Sequence, residues 1–258
     1  VIIRHENPSW SPARPSELVI SGSHIYVGTP LNKSCYTNCK SNRAFDDIDL
    51  TRIEADFLPR TLYEVGEPNV FNDAVPEWNG KRITRFYRYV NRAMVGAHAE
   101  RTLMSTVMPP ESAHINGLIS AAFSDWTVLV RFASSTFSIC FDFLLRIAGR
   151  TNIHSGTLGN FPLLSESAAL AGLVNRGLRL NCLTRFYAEL WTRTVSSEIV
   201  SDTWSSSDHR LVSEYELPWS ELNPSEWTWK TPLRSDVARR QALLEIDVLV
   251  AMALGLTL

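Results

Sequence analysis

The sequence predicts an α+β fold: a mixed, strand-rich domain over residues 1–164, then a helical region over residues 165–258. Three observations carry that reading. Runs rich in β-branched and aromatic residues, set off by Pro or Gly, fill much of the first part. After Phe161-Pro162 the apolar positions recur every three, four or five residues, as on a helix face. From about Ser235 the chain carries a broad stripe of Ala238, Leu243, Ile246, Val250 and Leu254 at helical spacing.

Taken in order, Leu18 to Gly28 (LVISGSHIYVG) lies between Pro15 and Pro30 and predicts a strand pair or a kinked strand. Thr29 to Ala44 has almost no apolar content and is expected as a long exposed loop. Thr51 is placed to cap a short helix through Phe57, with Glu54 completing a capping box and Pro59 limiting its length. Gly66 to Gly80, with Pro68 and Pro76, is expected as an irregular connection. Lys81 to Met94 suits a strand. Arg101 to Met108 and Ile115 to Phe123 predict two more, joined across Pro109-Pro110 as a hairpin or as adjacent strands. Phe137, Phe141, Leu144 and Leu145 share a helix face that Gly149 terminates. Ala168 to Trp191 is one long helix or two joined ones, and a Ser/Trp/Glu-rich loop with Pro218 and Pro224 leads to the last helix.

With 258 residues, 45% of them hydrophobic, the chain can bury one sizeable core and a small second one. Its apolar-rich start without an initiating Met and its end on an apolar helix are expected of a piece of a larger polypeptide. No apolar stretch nears the roughly 18 residues that cross a bilayer, and no secretory leader is recognisable, so a cytoplasmic protein with no membrane partner is expected. Cys35, Cys39, Cys140 and Cys182 lack zinc-ribbon spacing and are expected as reduced thiols.

Catalytic signals are thin. No Gly-x-Ser-x-Gly elbow occurs, His114, His154 and His209 are scattered, and Asp46, Asp47 and Asp49 have no nearby Glu-x-Lys partner. Asn7-Pro8-Ser9-Trp10 departs from the Asn/Asp-Pro-Pro-aromatic loop that holds a flipped adenine, and no Gly-rich cofactor loop precedes it. No catalytic residue and no metal ligand is therefore assigned.

The charge pattern says more. The net charge of −2 argues against a protein that coats nucleic acid indiscriminately. Yet Lys81, Arg82, Arg85, Arg88, Arg92 and Arg101 stand against the single acid Glu100, whereas Glu198 to Glu226 carries seven acids against Arg210. Arg and Lys read guanine edges, amides read adenine edges, and both types hold phosphates. The residues expected to meet DNA are Asn32, Lys33, Tyr36, Asn38, Lys40, Asn42 and Arg43 in one loop, the Lys81 to Arg101 cations, and Arg150, Asn152 and His154 after the helix.

Several segments resemble the target-recognition domain of bacterial DNA adenine methyltransferases and type IIG restriction-modification enzymes. ERTLMSTVMPP, from Glu100, is similar to the recognition-domain strand entering a Pro-bearing turn, and FASSTFSICFDFLLRIAG to the helix behind the recognition sheet. NIHSGTLGNFPLL is similar to the exit before the spacer helix, while LRLNCLTRFYAELW and TPLRSDVARRQALLEIDVLVAMALGLT resemble the C-terminal region of large phage-defence methyltransferases. The resemblance implies a parent that methylates adenine N6 with S-adenosylmethionine. This portion would then select duplex DNA, need no cofactor of its own, and pack on a methyltransferase catalytic domain of the same or a partner chain. A second expectation, from another class, is a protein-interaction scaffold whose interface is formed by Trp191, Trp204, Trp219, Trp227 and Trp229 with the acidic loop.

Overall fold

The computed structural model describes residues 2–4, 9–39, 44–96, 99–149, 151–165 and 168–256. The strands are β1 (Ile2–Arg4), β2 (Val19–Ile20), β3 (Lys33–Cys35), β4 (Phe45–Asp47), β5 (Tyr63–Val65), β6 (Glu77–Trp78), β7 (Lys81–Arg82), β8 (Arg88–Arg92), β9 (Ser105–Met108), β10 (Ala113–His114) and β11 (Leu118–Ala122). The helices are α1 (Pro68–Ala74), α2 (Trp126–Thr136), α3 (Ile139–Ile147), α4 (Ser155–Leu158), α5 (Ala168–Asn181), α6 (Ala188–Thr194) and α7 (Asp236–Ala253). The fold is α+β, as the residue patterns predict. No single helix among the described residues is long and apolar enough to cross a bilayer.

The strands form five small ladders among the described residues, and the largest is the antiparallel sheet β11-β8-β9. The two strands expected as a Pro-Pro hairpin both pair with β8 instead of with each other. The chain beyond Pro109-Pro110 first turns aside into β10, which pairs in parallel with β2. Strand β8 is covered on both faces. Tyr89 packs edge-on against Phe132 of α2, ring centroids 5.1 Å apart, whereas Val90 joins Leu18, Ile20, Ile25, Met108 and Leu118 on the opposite side. The side-chain alternation of a strand therefore sends Arg88 and Arg92 inward with Val90.

One main apolar cluster runs from Val27, Tyr89 and Leu103 through α2 and α3 to α5, α6 and α7, so the core crosses the boundary expected near residue 164. Helix α5 lies very close to α2 at Gly177, where an added Cβ would fall 1.8 Å from Ser134 Oγ. The expected single helix before Gly149 is two, α2 and α3, bent by 73°. Ser138 makes the break by accepting the Phe141 N–H as an N-cap, and Gly149 ends α3 in the left-handed region at φ +60°. Ser235 caps α7 through the Ala238 N–H, where the sequence places it.

Three local expectations are corrected. Thr29 to Ala44 is not simply an exposed loop, because Lys33–Cys35 pairs with Phe45–Asp47 and both Cys35 and Cys39 bury against Leu62. No helix forms at Thr51: its N–H and hydroxyl both donate to Asp49 Oδ1, at 3.0 and 2.6 Å, and the chain stays in turns. The Gly66 to Gly80 connection holds α1, whose Pro68 sits at the first helical position, and then β6.

Candidate nucleic-acid interface

The Lys81 to Arg101 cations do not form one basic track. Arg88 is 2% exposed and donates to Ser112 O, and burial without a carboxylate partner lowers its pKa to about 10. Arg92 donates to Ile25 O at 2.7 Å, and burial lowers its pKa as well. Arg101 is ion-paired with Asp247 of α7 at 3.0 Å and is largely buried. These three expected phosphate contacts are corrected to internal donors, because both faces of β8 are covered and the loop after it packs on α7. The acidic loop is not their partner either.

The outward cations sit on the short hairpin β6–β7. Its turn is Asn79-Gly80, both at positive φ (+49° and +71°), the geometry of a type I′ two-residue turn. Lys81 is exposed and Arg82 half-buried, and among the described residues neither has an ion-pair partner. Arg85 follows, exposed and paired with Glu111.

The other expected site residues divide in the same way. Lys33 pairs with Asp47 at 2.8 Å, Tyr36 is exposed with its hydroxyl donating to Asp46, and Asn38 is exposed. Asn32 is half-buried and donates to Ser23 O at 3.2 Å. Asn152 and His154 are exposed on either side of buried Ile153, with Asn152 bridged to Met94 at the end of β8. Lys40, Asn42, Arg43 and Arg150 lie outside the described residues.

Asn32 and Arg101 meet in a cleft of about 940 Å³ with Arg234, Arg239 and Arg240, but Asp47, Asp49, Glu100, Asp236 and Asp247 line it too. Four cations against five acids leave it slightly negative. Two of those cations are also committed to carbonyls. Arg234 donates to Leu50 O, Leu183 O and Trp229 O, and Arg239 to Leu180 O, Leu233 O and Gly28 O.

These buried arginines are the functional-looking residues that charge counting misplaces. Val195 to Arg234 contains only short 3-10 turns, so its carbonyls have few ladder partners. Arg179 supplies donors to Thr231 O and Leu217 O, while its guanidinium stacks 4.4 Å over the Trp219 ring. The indoles do the same: Trp191 donates to Asn223 O, Trp227 to Cys182 O and Trp229 to Ile53 O. Trp191 and Trp219 are buried and Trp204 and Trp227 pack on the core, so these tryptophans are spent inside the fold. Glu216, in the acidic loop, is buried and accepts from the Arg234 and Ser235 amides.

Ser9 and Trp10, the end of the Asn7-Pro8-Ser9-Trp10 stretch, tie the chain start down. Ser9 Oγ donates to Tyr36 O and Trp10 bridges Thr61, while Asn7 and Pro8 lie outside the described residues. His114 is held between Ile115 O and Ser120 Oγ. Among the described residues no group of three or more His, Cys, Asp or Glu side chains is placed to hold a metal ion. Comparison with protein-family models, curated proteins and solved structures finds no match to this chain.

Proposed function

We propose that this chain is the sequence-selecting, non-catalytic module of a DNA adenine-N6 methyltransferase or type IIG restriction-modification enzyme of phage defence. It holds duplex DNA in the cytoplasm while a methyltransferase domain of the same or a partner chain, using S-adenosylmethionine, carries out the chemistry. The observation that carries the reading is the β6–β7 hairpin, where exposed Lys81 and half-buried Arg82 have no ion-pair partner among the described residues. A two-stranded ribbon fits the major groove. Arg85 extends the cationic edge, and exposed Asn152 and His154 supply an amide and an imidazole for base edges. The resemblance of the Glu100 to Leu164 segments to recognition domains supports the same reading.

The test is retention of a randomised duplex DNA pool on the purified chain, followed by sequencing of the retained fraction. Enrichment of one short motif is the expected result. Retention without any motif would reduce the chain to a non-selective binder, and no retention would remove the proposal.

A further inference from the structure

A second cleft, of about 780 Å³, lies between α5, the 3-10 turn Ser197–Ser201 and α7. Its base is charged. Arg176, 7% exposed, pairs with Asp202 at 3.0 Å and with Glu245 at 2.5 Å. Glu245 also accepts from the Ser205 N–H and hydroxyl and from Gln241. Burial pushes its carboxyl up, but those hydrogen bonds and the Arg176 guanidinium outweigh burial and hold it below the usual carboxylate range. Glu198 stands exposed at the rim with no ion-pair partner among the described residues. One guanidinium against the three carboxylates Glu198, Asp202 and Glu245 leaves a formal charge of −2.

Asn175 makes the same demand independently. It is 3% exposed and lines the cleft; its Nδ2 donates to Asp202, while its Oδ1 has no hydrogen-bond partner. A buried acceptor beside excess negative charge is matched by a cation that carries N–H donors.

The outer wall is apolar. Leu244 and Val248 line the cleft, and Met252 continues their row one turn further along α7, the three being 56%, 40% and 56% exposed. At 1.5 Å per residue the row runs about 12 Å, so the apolar surface continues past the cleft. That extent suits a chain segment better than a free amine.

We infer that this cleft docks a segment of a partner protein that places an arginine or lysine side chain beside Asp202, Glu198 and Asn175 and lays neighbouring apolar residues along Leu244, Val248 and Met252. The cleft shares no lining residue with the β6–β7 hairpin, and Arg176 at its base stacks over the buried Trp219 ring at 5.1 Å.

The experiment is selection of displayed random peptides on the intact immobilised chain, with affinities of synthetic copies measured on wild type, Glu198→Lys and Val248→Ser. Both substitutions fall on solvent-facing positions and leave the Arg176 ion pairs untouched. The expected peptides carry Arg or Lys three or four positions from Leu, Ile, Phe or Met, and each variant weakens them by about tenfold or more. Spermidine, titrated alone, is expected to bind far more weakly than the peptides. Enriched peptides without a basic residue, no enrichment, unchanged affinity in Glu198→Lys, or spermidine binding as tightly as the peptides would each overturn the inference.

Discussion

The loop from Val195 to Arg234 and the β6–β7 hairpin both lie outside the helices, yet they are held in opposite ways. The loop has no ladder, but Arg179, Arg234, Trp191 and Trp227 connect it to α5, α6 and the turns before β5 through buried guanidinium and indole donors. The hairpin has a regular ladder, Glu77 opposite Arg82 and Trp78 opposite Lys81, with Lys81 exposed and Arg82 half-buried. Anchoring in this chain follows side-chain donors to carbonyls more than it follows strand pairing. The same comparison separates structural charge from charge available to a ligand: cations that satisfy buried carbonyls cannot also hold phosphates.

The largest break in that contrast should come from Arg234→Ala. It removes donors from three carbonyls, Leu50, Leu183 and Trp229, and unsatisfied buried acceptors cost on the order of 3–5 kcal/mol together. Calorimetry should show a fall in Tm of about 10 °C or more. A loss within about 0.5 kcal/mol, the range of an ordinary surface substitution, would show that the loop is held by something else.

Gly177→Ala probes the helix layer beneath the loop. Its new Cβ would meet Ser134 Oγ at 1.8 Å, and α5 must shift away from α2 at a cost of about 1–3 kcal/mol. Urea unfolding measures it, and the further variant Ser134→Gly should recover part of the loss.

A smaller, graded effect concerns pH. His24 is fully buried, and its pKa is lowered first by desolvation, against the hydrogen bonds to Arg60 and Ser21; His114 is lowered in the same direction. In the unfolded chain each titrates near 6.5, so below that pH the unfolded state binds more protons. Their contribution is complete above about pH 6.5 and is lost as pH falls toward the folded-state pKa values, by at most roughly 1.4 kcal/mol per pH unit for each histidine. Unfolding free energies between pH 7 and 5 should decline, and His24→Gln should flatten the slope. A flat wild-type profile would contradict the assignment.

The smallest stability effect belongs to the hairpin. Lys81→Ala with Arg82→Ala should change the unfolding free energy by no more than about 0.5 kcal/mol. A larger loss would mean that the hairpin is structural after all.

Several helix ends were legible. Ser235 and the stripe from Ala238 to Leu254 mark α7, and Gly149 marks the end of α3 at positive φ. What escaped had physical causes. Cys35 and Cys39 read as polar loop thiols, but cysteine behaves as a small hydrophobe, and their burial with Leu62 backs the β3–β4 hairpin. Asp49 accepts the Thr51 N–H that Glu54 would have taken in a capping box. The inward arginines were not legible as such, because Arg88 and Arg92 have the spacing of one strand face and only tertiary packing decides which side is covered. Arg176 and Arg179, three residues apart within an apolar helix, gave the nearest available hint that guanidinium groups were entering the core.

The most direct test of the central claim is the salt dependence of duplex binding by the wild type and by the Lys81→Ala, Arg82→Ala double variant. If phosphate contact rests on Lys81, Arg82 and Arg85, the slope of log K against log salt should be about −2.7, falling to about −0.9 in the variant. Wild-type binding with a slope the double variant leaves unchanged, or no binding at low salt, would contradict a DNA-facing hairpin.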